Sequence, residues 1–483
     1  MNDLVFCSAH DLAFKMRERS VSASEVVDAF MAQIVRHNPT VNAIVTLDEE
    51  RARLRAKEAD TALAHGELWG PLHGVPFTLK DVLETEGVRT TSGFPPLGDY
   101  IPTVDAPVVA RLRQAGGILL GKTNLPTLAG GNLTDNPIFG RTNNPRDLER
   151  TPGGSSGGSA AALAAGMTPL DVGSDAGGSV RLPAHCCGVY ALKPTQHRVP
   201  LTGHIPPPPP FRADQMLRHG AVLGPLARSV ADLELALRII AGPDGQDWAV
   251  PPAALVPAPQ RRLKELRFAC CDNFGGMPIT GDTCATLARV ANELERHGCH
   301  VEQRAPDGFD FVAAWETYGE LWQAQVGATQ TSEQEIAGAT GYDLNSDDAF
   351  SRGLARGVNA TARQYAAILR RRDAFIGALE AFFGQWDALL CPVALSPANL
   401  HAPLGEPLLV EGHRVSYWTG TMAYCCPFNL TGHPAIVLPA GRSTEGLPIG
   451  IQVVGRLWGE MELLAIGAQL GEMIEPFHRP PGY

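Results

Sequence analysis

Residues 151–195 read TPGGSSGGSAAALAAGMTPLDVGSDAGGSVRLPAHCCGVYALKPT. Two serines sit among glycines, Ser155 in GGSSGG and Ser179 in DAGGSV, 24 residues apart. Glycine and serine alone suggest a linker. Here they bracket an Ala-rich apolar run, Ser159 to Ala165, with helical texture, and then TPLDVGSD, with strand texture. Helix then strand is the grain of an α/β layer, and it brings both serine-bearing turns into one unit of structure. If one serine is a nucleophile it needs a base, because a hydroxyl is a poor nucleophile at neutral pH. The histidines at hand, His185 and His197, have no obvious partner in the sequence.

The rest of the chain extends the α/β pattern. The first 65 residues read as helices: Ser22-Ala-Ser-Glu25 is a capping box opening VVDAFMAQIVRH, and Glu49 to His65 is a charged, Ala-rich helix stopped by Gly66. From Leu68 short apolar runs alternate with Gly and Pro, and GVPFTLKD and GGILLGKTN read as strands around the helical PVVARLRQAG. Ile205 to Pro210 is a proline run, either a stiff polyproline loop or a rigid wall of a cleft. Ser229 caps a helix with Asp232 in its first turn. Leu266 to Asp272 reads as a strand, Asp282 to His297 as a helix stopped by Gly298, and Thr361 with Gln364 opens a long helix. Residues 305–360 carry weak helical signals. WDALLCPV, PAIVLPA and PIGIQVVG are strand candidates, and MELLAIGAQLGEM is a terminal helix. Strands before and after a helical middle imply one large sheet with an insertion.

Composition narrows the function. The 483 residues are 44% hydrophobic and 19% charged, with a net charge of −11, which speaks against nucleic acid as a partner. MNDLVFCSAHDLAFKMRERS lacks a basic-then-apolar leader, and no apolar run approaches the ~20 residues of a membrane helix. A cytoplasmic protein that does not engage membranes is expected. The ten cysteines include the neighbours Cys186–Cys187, Cys270–Cys271 and Cys425–Cys426, without C-x-x-C or Cys/His spacing, so they read as buried free thiols and no metal is expected.

Three patterns compete for the chemistry. Gly116 to Thr123 matches G-x-x-x-x-G-K-[ST], but its middle, Ile-Leu-Leu, is strand material and a helix end precedes it, so it reads as helix–turn–strand. Gly153 to Gly157 fits G-x-S-x-G, but a polar loop, RDLERTP, stands where a nucleophile elbow needs an apolar strand. The third pattern uses both serines. Ser179 follows Gly177 and Gly178, whose bare backbone N–H groups suit a developing oxyanion. The candidate base is Lys80, at the polar end of VPFTLKD, where burial would lower its pKa; the plain alternative is a pair with neighbouring Asp81.

At these residues the sequence resembles the amidase signature family. The GGSSGG…DAGGSVRLPA…GVYALKPT stretch, GPLHGVPFTLKD, GILLGKTNLP, FGRTNNP and FNLTGHPAIVLPAG…GLPIGIQVVG all match its motifs, over roughly residues 8–474 and most weakly between about 300 and 400. The resemblance implies an α/β fold with a large mixed, twisted central β-sheet covered by helices on both faces. As domain organisation it implies one amidase domain, 1–483: an N-terminal helical segment (8–65), a signature core (66–240), a helical insertion and variable substrate-side region (241–400), and C-terminal strands and helix completing the sheet (401–483). It implies Ser179 as nucleophile, Ser155 as a serine joined to Gly154 by a cis peptide bond, and Lys80 as base. Ala176, Gly177 and Gly178, with the Ser179 N–H, would hold the oxyanion, and Ala129, Gly130 and Gly131 would line the acyl side. Ser156 would brace the relay, and Asp175 with Arg181 would form a structural ion pair. The activity implied is hydrolysis of a small amide, ester or carbamate through a serine acyl-enzyme, without a cofactor, in a cytoplasmic enzyme for which a homodimer is the family-level expectation. The alternative branch is the glutamine-hydrolysing component of a tRNA-dependent amidotransferase. The segment after KPT, with HIPPPPP, departs from that branch and favours a free-standing amidase.

Overall fold

Eleven strands from both ends of the chain pair into one mixed sheet in this computed structural model, which describes residues 4–207, 209, 217–327 and 343–483. The first nine are β1 (Ile44–Leu47), β2 (Pro76–Lys80), β3 (Ile118–Thr123), β4 (Leu170–Asp175), β5 (Tyr190–Lys193), β6 (Val222–Ala227), β7 (Arg267–Cys270), β8 (His300–Gln303) and β9 (Ala388–Pro392). Two short strands follow, β10 (Leu408–Val410) and β11 (His413–Val415), which form a separate hairpin. The chain then returns to the large sheet with β12 (Ala435–Arg442) and β13 (Pro448–Val454). The sheet order is β1-β3-β2-β4-β6-β5-β12-β13-β9-β7-β8. Helices cover both faces, as in other α/β layer proteins.

The central strands are buried along their whole length, so they read as continuous apolar runs rather than alternating ones. Helix starts follow the capping chemistry in the sequence. Ser22 with Glu25 and Thr361 with Gln364 form reciprocal capping boxes, and the Ser229 hydroxyl accepts from the Asp232 N–H. The glycine-tight Gly116–Thr123 segment is helix end, turn and β3.

Two readings of organisation are corrected. The N-terminal 8–65 segment is not wholly helical: Ile44–Leu47 is a strand, too short for a periodic signal, paired antiparallel to β3 at the sheet edge. Residues 241–400 are more than a helical insertion, because they supply β7, β8 and β9, which extend the sheet beyond β13. The strand at the outer edge, β8, is half-exposed and polar, which is why its sequence, HVEQ, does not look like a strand.

The site follows from one feature of this topology. Strands β2 and β4 are parallel neighbours with Thr78 beside Asp171 and Leu79 beside Val172. Their C-terminal ends therefore emerge together, Lys80 from one and Ser174–Asp175 from the other. Open α/β sheets place ligands at such strand ends.

Candidate active site

Lys80 is wholly buried. Its Nζ donates to the Ser155 hydroxyl at 2.6 Å and to the Ser174 hydroxyl at 3.1 Å. Burial brings its pKa down to about 7, against the opposing pull of Asp175 and Asp171. Asp81 is not its partner. Asp81 accepts from the Thr91 N–H and hydroxyl at 3.0 and 2.7 Å and faces Lys122 at 3.7 Å. Consecutive residues of an extended chain point to opposite sides, which separates Lys80 from Asp81.

Ser155 reaches Lys80 from a turn packed backbone on backbone, and the Gly154–Ser155 peptide bond is cis. A Cβ on Gly154 would sit 2.6 Å from the Asn132 carbonyl carbon, and one on Gly158 would sit 2.4 Å from the Asn124 nitrogen. These glycines exist for close approach, not flexibility. The Thr134 hydroxyl ties the turn by donating to the Gly153 carbonyl at 2.8 Å and accepting from the Gly157 N–H at 3.1 Å. Ser156 joins the two serine turns: its N–H donates to the Ser179 carbonyl at 3.1 Å and its hydroxyl to the Ser174 carbonyl at 3.4 Å.

Ser179 lies at the other side of the same cavity, with its hydroxyl unpartnered among the described residues. The turn before it is held from behind. Arg181 grips Asp175 through Nε (3.1 Å) and Nη2 (2.9 Å), with both side chains fully buried. Burial alone would raise the Asp175 carboxyl; the Arg181 guanidinium and the Asn429 amide hold it well below the usual carboxylate range. The Asn429 amide also reaches the Asp175 carbonyl at 3.4 Å, the Tyr318 hydroxyl donates to the Ala176 carbonyl, and the Leu182 N–H donates to the Gly178 carbonyl at 2.7 Å.

One expected oxyanion donor is corrected. The Gly178 N–H donates to Asp175 Oδ1 at 2.9 Å, so it is spent inside the turn, and Gly178 is absent from the cavity wall. The reason is local: the Asp175 carboxylate accepts from the backbone N–H groups of Gly178 and Val180 at 2.9 and 3.1 Å and so closes the turn on itself. Ala176, Gly177 and Ser179 do line the cavity, and their N–H groups have no acceptor among the described residues.

The cavity measures about 360 Å³. Ala129, Gly130 and Gly131 form one rim, with Ala129 in the left-handed region at φ +57°, and Tyr417 steadies it by accepting the Asn132 N–H at 2.8 Å. The far wall is apolar: Trp322, Phe350, Leu354, Trp418 and Met422. His204 and Pro206 close another side, so the start of the proline run is a wall; Pro208 and Pro210 lie outside the described residues. Burial lowers the His204 pKa to about 4, and its Nδ1 sits 3.1 Å from the Pro206 carbonyl, so the ring is neutral with its proton on Nδ1.

His185 and His197 are elsewhere. His185 accepts the Gly450 N–H at 3.0 Å and faces the Ser396 carbonyl, and neither ring lines the cavity. All ten cysteines are unbridged, eight of them buried, with Cys7 and Cys284 half-buried. Among the described residues no cluster of His, Cys, Asp and Glu is arranged to hold a metal, and no helix is long and apolar enough to cross a membrane.

Sequence reasoning missed Ser174, His204, Tyr318, Trp322, Phe350, Trp418, Met422 and Asn429. Only the spacing of Tyr318, Trp322 and Val326, one helical turn apart, carried a signal, since that stripe shares one face of the Phe311–Gly327 helix.

A parallel pair of strands, two serine turns and a buried lysine thus meet at one cavity. Residues 25–464 match the family model described as Amidase, and the chain belongs to the amidase signature family. It is 35% identical over 465 residues to an indoleacetamide hydrolase of Bradyrhizobium diazoefficiens, covering 95% of this chain and 85% of that one. It is also 35% identical over 498 residues to a component of the glutamyl-tRNA(Gln) amidotransferase of a Synechococcus strain, covering 97% and 96%. Among solved structures, 6-aminohexanoate cyclic dimer hydrolase superposes with a TM-score of 0.81 at 30% identity, covering 99% of each chain. The protein is an amidase, a hydrolase of carbon–nitrogen bonds.

Proposed function

We propose that Lys80, Ser155 and Ser179 form a proton relay that cleaves a small amide with an apolar or aryl acyl group. The observation that carries this reading is the 2.6 Å hydrogen bond from a fully desolvated Lys80 to Ser155, on the wall of the cavity that also holds Ser179. Neutral Lys80 takes the Ser155 proton while Ser155 takes the Ser179 proton, and Ser179 Oγ bonds to the carbonyl carbon. The Ser179 hydroxyl has no partner among the described residues, so the relay requires Ser155 to close on it as the carbonyl is seated; catalytic hydrogen bonds commonly tighten only then. The negative oxygen is held by the N–H groups of Ala176, Gly177 and Ser179. The C–N bond breaks as Ser155 returns a proton to the leaving nitrogen, drawing its own replacement from the Lys80 ammonium. Water then attacks the acyl-enzyme, its proton passing through Ser155 to Lys80, and the acid departs as Ser179 regains a proton. Ser156, Asp175 and Arg181 brace this machinery.

The wall chemistry supports the substrate class. Two tryptophans, a phenylalanine and several aliphatic side chains bound one side of the cavity, and apolar walls with few polar groups select by shape and desolvation. The relative named for indoleacetamide hydrolysis supports the same class. Glutamine hydrolysis is the competing reading. A glutamine carboxylate calls for a cation, and among the described residues no Arg or Lys lines the cavity. A panel comparing indole-3-acetamide, an acyl anilide, hexanamide and glutamine, read by ammonia or aniline release, separates the two. The aryl and apolar amides are expected to turn over; glutamine turnover alone would reverse the assignment. We extend the reading to a single domain over 1–483 in a cytoplasmic homodimer, for which light scattering of the purified chain tests the dimer.

A further inference from the structure

Each N–H left for the oxyanion, those of Ala176, Gly177 and Ser179, belongs to a peptide unit whose carbonyl is anchored on the other side. A trans peptide is planar, so its C=O and N–H point in opposite directions. The cis bonds of the described residues lie at Gly154–Ser155, Ile205–Pro206 and Pro206–Pro207, so the turn from Asp175 to Ser179 is trans throughout. In the Gly178–Ser179 unit, the carbonyl is held by the first turn of the Arg181–Cys187 helix, through the Leu182 N–H. The Asp175–Ala176 unit is held by the long 3.4 Å contact to Asn429. In the Ala176–Gly177 unit, the carbonyl is held, among the described residues, by one side chain, the Tyr318 hydroxyl.

We propose that Tyr318 is a positioning residue for the oxyanion site: by holding the Ala176 carbonyl from behind, it turns the Gly177 N–H into the cavity. Three observations support it. Tyr318 is fully buried in the middle of the Phe311–Gly327 helix, and the pocket-facing Trp322 ring packs edge-on against it at 6.0 Å, so its hydroxyl is fixed in place. Gly220 backs the hydroxyl so closely that a Cβ there would lie 2.5 Å from it, so the phenol occupies this place only because position 220 has no side chain. The Gly177 N–H has no acceptor among the described residues and Gly177 lines the cavity, so a substrate oxygen is the partner this orientation serves. The phenol never touches substrate. It contributes to the reaction by fixing a dipole before charge develops, where no reorganisation is then needed.

This inference rests on the oxyanion reading above. Removing an oxyanion donor outright typically costs ~100- to 1000-fold in kcat, and misaiming one costs part of that. Tyr318→Phe is expected to lower kcat about tenfold or more with KM within twofold. It should weaken an arylmethyl trifluoromethyl ketone, which forms a tetrahedral adduct on the nucleophile, by the same factor. Binding of the matched non-electrophilic arylmethyl methyl carbinol should be unchanged. Placing p-aminophenylalanine at 318, which keeps a donor, should restore kcat to within threefold. It also keeps the test alive should Tyr318→Phe misfold, since it is then compared with p-fluorophenylalanine at the same position, which fills similar space and has no donor. An unchanged kcat in the donor-free variant, or equal losses of ketone and carbinol affinity, would overturn the inference. Ser179→Ala separates the two levels. If it stays active the acyl-enzyme reading itself fails; if it is dead while Tyr318→Phe turns over normally, only the role of Tyr318 fails.

Discussion

The two sides of the cavity come from parts of the chain with different demands. The catalytic side is assembled from residues 80–181, on the ends of β2 and β4 and two glycine turns packed against backbone. The substrate side is assembled later in the chain, from Leu201, Leu217, Trp322, Phe350, Trp418 and Met422 among others, mostly large apolar side chains. On the first side each position has one chemical solution: a lysine stripped of water, a glycine where another backbone passes within van der Waals contact, an arginine locked to a buried aspartate. On the second side many residues of similar volume would serve. That difference teaches where reaction and selectivity reside, and substitutions on the two sides should separate them.

The largest effect is expected at the nucleophile. Ser179→Ala should remove acyl-enzyme formation, and Lys80→Met or Ser155→Ala should lower turnover by about 10⁴-fold or more, as for other residues acting as one unit; pre-steady-state release of leaving group measures this. Next comes the scaffold behind the turn. Arg181→Met leaves Asp175 charged and unpaired in the interior, which costs ~3–5 kcal/mol for such pairs and should appear as a large fall in the unfolding midpoint together with lost activity.

The pH dependence follows from the burial of Lys80. Its working form is neutral, and burial sets its pKa at about 7, so kcat/KM should rise with pH through about 7 and then level. Below that point the neutral fraction, and the rate, should fall about tenfold per pH unit. A profile flat from pH 5 to 9 in the acylation step would count against Lys80 as base.

The smallest effect is expected on the far wall. Trp418→Ala should leave the relay intact and shift preference from aryl to bulkier or aliphatic amides by about tenfold to a hundredfold, the scale on which apolar pockets discriminate. Competition between indole-3-acetamide and hexanamide reads this directly. Equal loss on both substrates would mean that the wall supports the relay as well.

The same contrast explains what could be read in the sequence. Lys80, Ser155 and Ser179 stood out because short motifs with rigid spacing surround them, and the apolar runs of β2, β3, β4, β12 and β13 announced the sheet. Strand β8 did not, since an edge strand that is half-solvated keeps polar residues. Gly178 misled because sequence offers a glycine N–H without saying what accepts it; the acceptor, Asp175 Oδ1, is a matter of turn geometry. Tyr318 and Asn429 act on a turn more than 140 residues away in the chain, a distance that no local pattern encodes.

The central claim is that acyl transfer begins at Ser179 and at no other hydroxyl. It is tested most directly by treating the protein with a labelled fluorophosphonate and mapping the modified peptide by mass spectrometry. The account predicts a single label on Ser179, formed faster as pH rises through about 7 and absent from Ser179→Ala. A label on Ser155 or another residue, or Ser179→Ala labelled as fully as the unsubstituted protein, would contradict it.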